Sequence, residues 1–403
     1  MAVGVSTYKH THGLMRVGQY SDCTFSKTAS GVPGHIKRLY HADNLLVLKN
    51  LLEDVSVCGQ IRLIYIDPPY NTGTDFENRS QEFAYSDKFS TEEYLVFMRE
   101  RLLIMRELLA EDGSIYVHLD SKMVFHVKLL MDDIFGSSCF RGMITRKKCK
   151  SKNYTKKTYG NISDYILFYT KSENPVWNRP YDSWSSEKEV KEYPFIEPET
   201  GRRYKKVPIH APGIRNGSTG SEWRGLLPPP GKHWQYTPDK LDEMDANNEI
   251  YWSSTGNPRR KVYLDQSKGI PVQDIWLDYL DINNQNTLQT GYPTEKNLDM
   301  LKRIVEASSN PGDLVLDCFA GSGTTLVAAE QLNRDWIGVD IGDVAISTIR
   351  NRLENGSKKL SDLTSTSPQS RISSNSLFDD TDLCGVDKGN CNVPIKYDFF
   401  EVE

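Results

Sequence analysis

The stretch LIYIDPPY, residues 63–70, combines the signal of a buried strand with an abrupt end. Residues 63–66 form an apolar run that is typical of a parallel strand covered on both faces. Pro68 and Pro69 have a fixed φ and lack a backbone N–H, so the strand has to stop directly after Asp67. Open α/β sheets bind their ligands at the carboxyl ends of such strands. The stretch therefore predicts an α/β fold with a ligand site at Asp67.

The same turn suits one kind of ligand. The Asp67 carboxylate and the Pro68 carbonyl are hydrogen-bond acceptors, and the Tyr70 ring offers a flat surface for stacking. Two acceptors beside an aromatic ring fit a planar base that carries an exocyclic amine. The alternative interpretation, that Asp67 is only a turn or capping carboxylate, is disfavoured by a second motif near the other end of the chain.

The second motif is DCFAGSGTT, residues 317–325, a glycine-rich turn between a predicted strand and a predicted helix. Gly321 and Gly323 let the backbone approach a ligand closely. The turn has neither the Gly-x-Gly-x-x-Gly pattern of dinucleotide sites nor the lysine of a P-loop. Asp317 and Asp340, which end two successive strands, supply negative charge. We therefore expect a nucleoside with a compact cationic tail, such as S-adenosylmethionine; an ordinary tight turn is the alternative.

Together the two motifs resemble the amino-methylating DNA methyltransferases. The order of catalytic Asp-Pro-Pro-Tyr, variable module and Phe-x-Gly-x-Gly turn is similar to that of the permuted β-class enzymes. The segments 41–45 and 291–296 also resemble family elements, although Glu295 and Asn297 replace the usual Gln and Pro. The resemblance covers roughly residues 35–354.

The resemblance implies a Rossmann-like, doubly wound, mostly parallel α/β sheet with an inserted target-recognition module. It also implies methyl transfer from S-adenosylmethionine to the exocyclic N6 of a flipped-out adenine in double-stranded DNA. N4-cytosine methylation is the nearest alternative, and a catalytically silent DNA-binding module is another. The implied catalytic residues are Asp67, Pro68, Pro69 and Tyr70. The implied cofactor-binding residues are Asp43, Asp67, Thr294, Lys296, Asp317, Phe319, Gly321, Gly323, Thr324 and Asp340, and for Asp43 the cap of a following helix is a rival role.

Composition divides the chain into five segments. Residues 174–275 are rich in Pro, Gly, Trp and Arg and have little periodicity, which predicts an inserted module rather than a loop. The resemblance implies that this module is the target-recognition module, predicted at 174–290. The N-terminal arm, the catalytic half, the cofactor-binding half and a flexible C-terminal tail are predicted at 1–34, 35–173, 291–354 and 355–403. Within the tail, the apolar stretch 393–400 is expected to dock on the fold.

The charge pattern bears on the partner. A net charge of −5 argues weakly against nucleic acid, but residues 146–157 contain seven lysines and arginines and no acid. On its own such a cluster suits a solvated loop equally well, but the aromatic residues within or soon after it favour phosphate and base contact: Tyr154, Tyr159, Trp177, Tyr181 and Trp184. In the module, Trp223 and Trp234 fit a small core as well as base stacking. The predicted DNA-binding residues are Lys147, Lys148, Lys150, Lys152, Arg215 and Arg224.

The seven cysteines are scattered and form no Cys-x-x-Cys pair, which favours a reduced, cytoplasmic protein without a metal site. No apolar run approaches 18 residues, so no transmembrane helix and no membrane partner are expected. A homodimer is expected from the family resemblance alone. Whether a cognate restriction endonuclease accompanies the enzyme stays open.

Overall fold

The computed structural model of the chain describes residues 25–69, 75–77, 83–86, 90–150, 157–281, 288–290, 292, 295–356, 358–359 and 395–402. The predicted site residues Tyr70, Lys152 and Thr294 lie outside the described residues. So do residues 1–24 of the predicted arm and 360–394 of the predicted tail. The chain separates into two compact units, Met1–Asn178 with Gln273–Glu403, and Arg179–Val272.

The first unit is formed by both ends of the chain. Its first part contains β1 Phe25–Ala29, β2 Lys37–His41, α1 Asn44–Glu53, β3 Ile61–Ile66, β4 Asp75–Glu77, β5 Phe83–Ser86, α2 Thr91–Leu108, β6 Leu109–Leu119, α3 Val124–Phe135, β7 Phe140–Lys147 and β8 Ser163–Thr170.

The second unit follows without returning to the first. It contains β9 Tyr181–Asp182, α4 Ser186–Glu192, β10 Phe195–Ile196, β11 Arg203–Pro208, β12 His210–Pro212, β13 Lys232–Trp234, α5 Pro238–Ala246, β14 Ile250–Trp252, β15 Pro258–Tyr263 and β16 Ile270–Pro271.

The chain then completes the first unit. This last part contains β17 Ile275–Trp276, β18 Leu288–Gln289, α6 Leu298–Ser308, β19 Leu314–Asp317, α7 Thr324–Gln331, β20 Asp335–Asp340, α8 Asp343–Asn355, β21 Lys358–Lys359 and β22 Asp398–Val402.

Among the described residues, ten strands of the first unit form one sheet in the order β1-β22-β2-β20-β19-β3-β6-β8-β7-β17. The central strands from β2 to β6 are all parallel, whereas β8 runs antiparallel to both β6 and β7. The sheet is therefore mixed and mostly parallel, which confirms the predicted α/β class.

Helices cover both faces of this sheet. The side chains of Ile64 and Ile66 pack with residues of α1, α2 and α3 in one apolar cluster. Successive strand residues point to opposite faces. On the opposite face, the Tyr116 hydroxyl lies 2.8 Å from the Ser308 hydroxyl at the end of α6. This doubly covered arrangement explains why the central strands are continuous apolar runs.

The described end of the chain differs from a flexible tail. Asp398–Val402 is a strand between β1 and β2, antiparallel to the first and parallel to the second. The Phe400 ring stacks on the Tyr40 ring at 4.6 Å between centroids. The physical reason is the high strand propensity of the two phenylalanines and the valine in this stretch, and the two phenylalanines are buried and half-buried on the sheet. This pairing agrees with the expected docking of the stretch 393–400, whereas the boundaries of the predicted tail stay a prediction.

The second unit contains a four-stranded antiparallel sheet in the order β10-β11-β15-β14. Its core includes Trp223 and Trp234, which are 2% and 3% exposed. The Trp223 indole N–H donates to Asp242 at 3.0 Å, and the Trp234 indole N–H donates to the Ser221 carbonyl at 2.9 Å. Of the two roles considered for these tryptophans, the structure supports the core role. The target-recognition role of the module stays a prediction.

In the described part of the chain, no helix has the length and apolar character needed to cross a lipid bilayer.

Candidate active site

The site is assembled where β3 and β19 lie side by side. Ile64 of β3 is paired with Leu316 of β19 in parallel register, although the two are separated by about 250 residues of chain. Asp67 follows the first strand and Asp317 ends the second, so both carboxylates come to the same sheet edge. This is the carboxyl edge at which open α/β sheets hold ligands.

Asp67 is held by an ion pair. The Lys296 ammonium contacts its Oδ2 directly, and the Lys296 side chain is only 10% exposed. Pro68 is buried and Pro69 is half-buried, which fixes the turn after β3. The ion pair balances the charge of the carboxylate and fixes its orientation. Lys296, predicted as a cofactor-binding residue, is thus shown to contact the predicted catalytic carboxylate.

The glycine turn connects β19 to α7 through two left-handed residues. Gly321 has φ +50° and Gly323 has φ +73°. A Cβ at Gly323 would lie 2.9 Å from Cγ1 of Ile349, so the position also requires a small residue for packing. The Gly323 N–H donates to the Ala320 carbonyl at 2.7 Å. The turn exposes backbone to a ligand in a conformation that side-chain-bearing residues rarely adopt.

Two carboxylates flank this turn, of which Asp317 is buried and Asp340 half-buried. Asp317 accepts the Phe319 N–H at 3.0 Å and the Thr325 hydroxyl at 2.6 Å. Asp340 accepts the Gly321 N–H at 2.8 Å and the Gly342 N–H at 2.9 Å. Each carboxylate has about four acceptor positions, so both retain capacity for hydroxyl or cationic groups.

The ionisation of these two groups is perturbed. Burial raises the pKa of Asp317 to about 7; the hydrogen bonds from Thr325 and Phe319 oppose the shift, and the negative charges of Asp67 and Asp340 add to it. Burial also raises the pKa of Asp340, against the hydrogen bonds from the backbone of Gly342, Gly321 and Ile341. A site that gathers carboxylates out of water favours a ligand that brings positive charge.

Asp43 caps α1. Its Oδ1 accepts the Leu45 N–H at 2.8 Å, so the rival role considered for it is present in the structure. The adjacent Asn44 side chain donates to the Cys318 carbonyl at 2.8 Å and accepts from Arg101 at 2.6 Å. The start of α1 is therefore fastened to the strand end before the glycine turn. The cofactor role of Asp43 stays a prediction.

A second ion pair fastens the Lys296 segment to the glycine turn. Arg352 of α8 lies 3.2 Å from Oε1 of Glu295 and donates to the Ser322 carbonyl at 3.1 Å and the Thr324 hydroxyl at 2.9 Å. The Glu295 and Arg352 side chains are 4% and 2% exposed. The residue that replaces the usual glutamine of the family thus supplies the charge for a buried arginine.

We expect the variant Arg352→Met to raise the KM for the methyl donor about tenfold, since a charged hydrogen bond contributes about 1.5–3 kcal/mol, while kcat changes less than about twofold. Steady-state kinetics would measure both constants. The double variant Glu295→Gln/Arg352→Met should recover the unfolding free energy lost in the single variant, because it removes both charges of a buried pair. An unchanged KM would contradict the positioning role.

A buried polar network lies beneath the catalytic turn and was not foreseen. The Tyr65 hydroxyl is 2.7 Å from Nδ1 of His118, whose Nε2 is 3.0 Å from Asp164. Arg146 binds Asp164 through two nitrogens at 2.8 and 2.5 Å and also binds Asp281 at 2.7 Å. Burial alone would raise the pKa of Asp164, but His118 and Arg146 hold it well below its usual range. The only sequence signal was polar residues inside apolar strands.

The predicted DNA-binding residues are distributed differently. Arg146, which begins the basic run, is buried, while Lys147 and Lys148 are half-buried and Lys150 is exposed. Arg215 is exposed in the second unit. Arg224, with φ +50°, forms ion pairs with Asp242 and Asp245. These two carboxylates compete with DNA for its guanidinium, so the local contacts favour a structural role for Arg224. The DNA contacts themselves stay predictions.

No group of histidines, cysteines and acidic residues within the described part of the chain is arranged to hold a metal ion. The four cysteines described there are unpaired thiols, and Cys318 is buried. Burial raises the pKa of the Cys318 thiol, which disfavours the thiolate needed for nucleophilic chemistry.

Comparisons with known proteins cover most of the chain. A family model described as DNA methylase matches residues 61–351. The type II methyltransferase M.EcaI of Enterobacter cloacae is 51% identical over 326 residues, which cover 81% of this chain and 71% of that protein. The Mod subunit of the type III restriction-modification enzyme StyLTI of Salmonella typhimurium is 29% identical; the match covers 73% of this chain and 49% of that subunit, so the chain spans about half of its length.

Among solved structures, PvuII DNA methyltransferase (cytosine-N4-specific) is similar with a TM-score of 0.47. The sequences are 14% identical, and the match covers 84% of this chain and 95% of that chain.

Proposed function

We infer the function of this chain from its family, because it belongs to the DNA methylases. It is accordingly a DNA methyltransferase of the restriction-modification type. We propose that S-adenosylmethionine is its methyl donor and that the exocyclic N6 of adenine in double-stranded DNA is its acceptor. The observation that carries this proposal is the meeting of Asp67, Pro68 and the 317–325 turn at one sheet edge.

The residues present fit the proposed donor. Asp317 and Asp340 lie at the ends of the neighbouring strands β19 and β20. The next strand in the sheet is β2, and Asp43 lies between β2 and α1. The turn 317–325 contains no basic side chain. Gly321 and Gly323 supply backbone without side-chain bulk. The carboxylates can accept hydrogen bonds from hydroxyl and ammonium groups, and the turn has no cations to bind phosphate. This combination suits a nucleoside whose tail is positively charged.

S-adenosylmethionine, when bound, supplies a methyl group already activated by its sulfonium. The chain's own residues then have to position the amine. Asp67 and the Pro68 carbonyl accept hydrogen bonds from its two N–H groups, which favours a more tetrahedral nitrogen with its lone pair free for attack. Once the nitrogen–methyl bond has formed, the amine is acidic and loses its surplus proton to water. The ion pair with Lys296 fixes the orientation of the Asp67 carboxylate. The base has to leave the duplex to reach these groups, and Tyr70, outside the described residues, is proposed to stack on it.

The proposal is tested by expressing the chain in a host that lacks DNA methylation and sequencing the host DNA with modification detection. We expect N6-methyladenine in one sequence context. N4-methylcytosine in place of N6-methyladenine would overturn the proposed acceptor and leave the family assignment intact. Unmodified DNA from cells that contain folded, donor-binding protein would support the catalytically silent alternative.

Donor affinity is expected to depend on pH through Asp317. With a pKa of about 7, this carboxyl is about one-tenth ionised at pH 6 and about nine-tenths ionised at pH 8. Because the ionised form attracts a cationic ligand, the Kd for S-adenosylmethionine should be about tenfold lower at pH 8 than at pH 6. Calorimetric titration at the two pH values measures the difference. The variant Asp317→Asn should lose this part of the pH dependence, and the same dependence in both proteins would contradict the assignment.

A further inference from the structure

The second unit has a positive net charge, whereas the rest of the chain has a negative net charge. Residues 179–272 contain 15 lysines and arginines and 13 aspartates and glutamates, a net charge of +2, whereas the whole chain carries −5. The strands β11 and β15 together contain six of these cations and no acid. Positive charge is therefore concentrated on the central strands of one small sheet.

The register of the sheet places part of this charge on one face. Lys206 is paired with Lys261, and Arg259 is paired with both Pro208 and Tyr251. Directly paired residues of antiparallel strands project to the same side. We call this side the basic face; it consists of Phe195, Tyr204, Lys206, Tyr251, Arg259, Lys261 and Tyr263.

The opposite side of the same strands is occupied by the unit's own core. Ile250 and Trp252 pack there with the two core tryptophans, and Arg260 donates to the Tyr236 hydroxyl. At the corresponding end of the basic face, Arg259 is exposed, Phe195 is 38% exposed, and Lys206 and Tyr251 are half-buried. One face of the sheet thus packs on the core, whereas the other presents Lys206, Arg259 and two rings at one end; Tyr204 and Tyr263, at its other end, are buried.

The cations of the basic face differ in how their charge is balanced. Lys261 is bound to the buried Glu197 at 2.8 Å. Lys206 instead lies between two rings, 3.6 Å from the centroid of Phe195 and 3.4 Å from that of Tyr251. Among the residues that the structure describes, neither Lys206 nor Arg259 forms an ion pair with a carboxylate. The positive charges of these two side chains are therefore available to attract an anion from outside the protein.

The surroundings carry the same sign. Burial lowers the pKa of His210, and the nearby charges of Lys232 and Arg259 lower it further, so these two cations also act on the residue that begins β12. An ammonium held against two rings still has N–H groups that can donate to a third partner. Surfaces that bind the phosphate backbone of nucleic acids typically combine cations that no carboxylate neutralises with aromatic rings.

We propose that the basic face, through Lys206 and Arg259, contacts the phosphate backbone of double-stranded DNA. The proposal rests on the proposed function, which makes DNA the partner, and it assigns the contact to residues other than the predicted Lys147, Lys148, Lys150, Arg215 and Arg224. These contacts position the duplex and carry no base code, so they act on all sequences alike.

The test compares two double variants with the same change in net charge. Lys206→Gln/Arg259→Gln removes two charges from the basic face. Lys205→Gln/Lys240→Gln removes two charges elsewhere in the unit, where Lys205 pairs with Glu192 and Lys240 with Glu243. Binding of a duplex of random sequence is measured by fluorescence anisotropy between about 50 and 200 mM salt.

We expect the basic-face variant to bind at least about tenfold more weakly and to lower the slope of log K against log salt by about 2, since each lost phosphate contact removes about 0.9. The control variant should bind like the unmodified protein. Equal losses in both variants, or none in either, would overturn the proposal, as would a loss seen only with single-stranded DNA. If the double variant unfolds, Arg259→Gln alone should lower the slope by about 1.

The same experiment separates this proposal from the proposed function. If the unmodified protein methylates DNA while the basic-face variant binds and methylates equally well, the surface assignment is wrong and the function stands. If the unmodified protein binds the methyl donor and duplex DNA but transfers no methyl group, the function fails, while the binding comparison still decides the surface.

Discussion

The variant Asp67→Ala is expected to lose methyl transfer by about 10³-fold, with donor affinity changed by less than about tenfold. Asp67 is proposed to accept an amine hydrogen as the nitrogen becomes tetrahedral, and groups that stabilise developing charge in this way contribute about 10²–10³ in rate. Lys296 contacts Asp67, so the variant also leaves an almost buried ammonium without its carboxylate. Single-turnover transfer of a labelled methyl group measures the rate, and calorimetry measures donor binding.

The isosteric variant Asp67→Asn separates charge from shape. It retains one acceptor oxygen and replaces the other by an NH₂ group that repels the amine, so we expect a rate between those of the alanine variant and the unmodified protein. A rate for Asp67→Ala within about tenfold of the unmodified enzyme would rule out the proposed role. Loss of donor binding in parallel with rate would instead indicate a cofactor role for Asp67.

The largest effect on stability is expected from Asp164→Ala. The change removes the carboxylate shared by His118 and Arg146, whose side chains are 0% and 1% exposed. Removing one partner of a buried ion pair costs about 3–5 kcal/mol, because the remaining charge stays out of water. Equilibrium unfolding in urea, followed by circular dichroism, measures the difference in unfolding free energy.

An exposed pair provides the matched control. Arg99 and Asp133 lie 2.8 Å apart with side chains that are 50% and 55% exposed, so Asp133→Ala should cost less than about 1 kcal/mol. Similar costs for the two variants would show that the buried network contributes little. The lowered pKa of Asp164 sets the sign of the pH effect on stability. The contribution of Asp164 to the unfolding free energy is complete above the usual carboxyl pKa and is lost progressively as the pH falls from there toward the lowered pKa of the folded protein.

The helices and strands of the first unit were predictable because their hydrophobic periodicity and the residues at their ends indicate the same boundaries. The helical spacing at 91–110 predicts α2, which spans Thr91–Leu108. Its cap, however, is Ser90, whose hydroxyl accepts the Glu93 N–H while Glu93 accepts the Ser90 N–H. Both Ser90 and Thr91 are residue types that cap helices, Ser somewhat more strongly, and only Ser90 has an acidic partner three residues later.

The sequence predicted the individual motifs of the candidate site, but not the long-range ion pairs that connect them. Pro-Pro after a buried strand and Gly-x-Gly before a helix are local patterns, so Asp67 and Gly321 could be read from the sequence. Arg352 lies on a helix whose pattern shows only an amphipathic face, and its contact with Glu295 joins residues 57 positions apart. Arg146 belongs to a basic run that resembles a solvated loop. Long-range pairing of charges has no local pattern.

The pairing of β3 with β19 also sets an order of events during synthesis. The strand that carries Asp67 is complete about 250 residues before its neighbour leaves the ribosome. At about 5–20 residues per second, this interval is roughly 12–50 s. During that time the growing chain can order α1, α2 and α3, but the edge of β3 that awaits β19 stays unpaired and open to wrong partners. Activity of the enzyme therefore begins only when the last third of the chain has docked, and dependence on chaperones should be greatest in this interval.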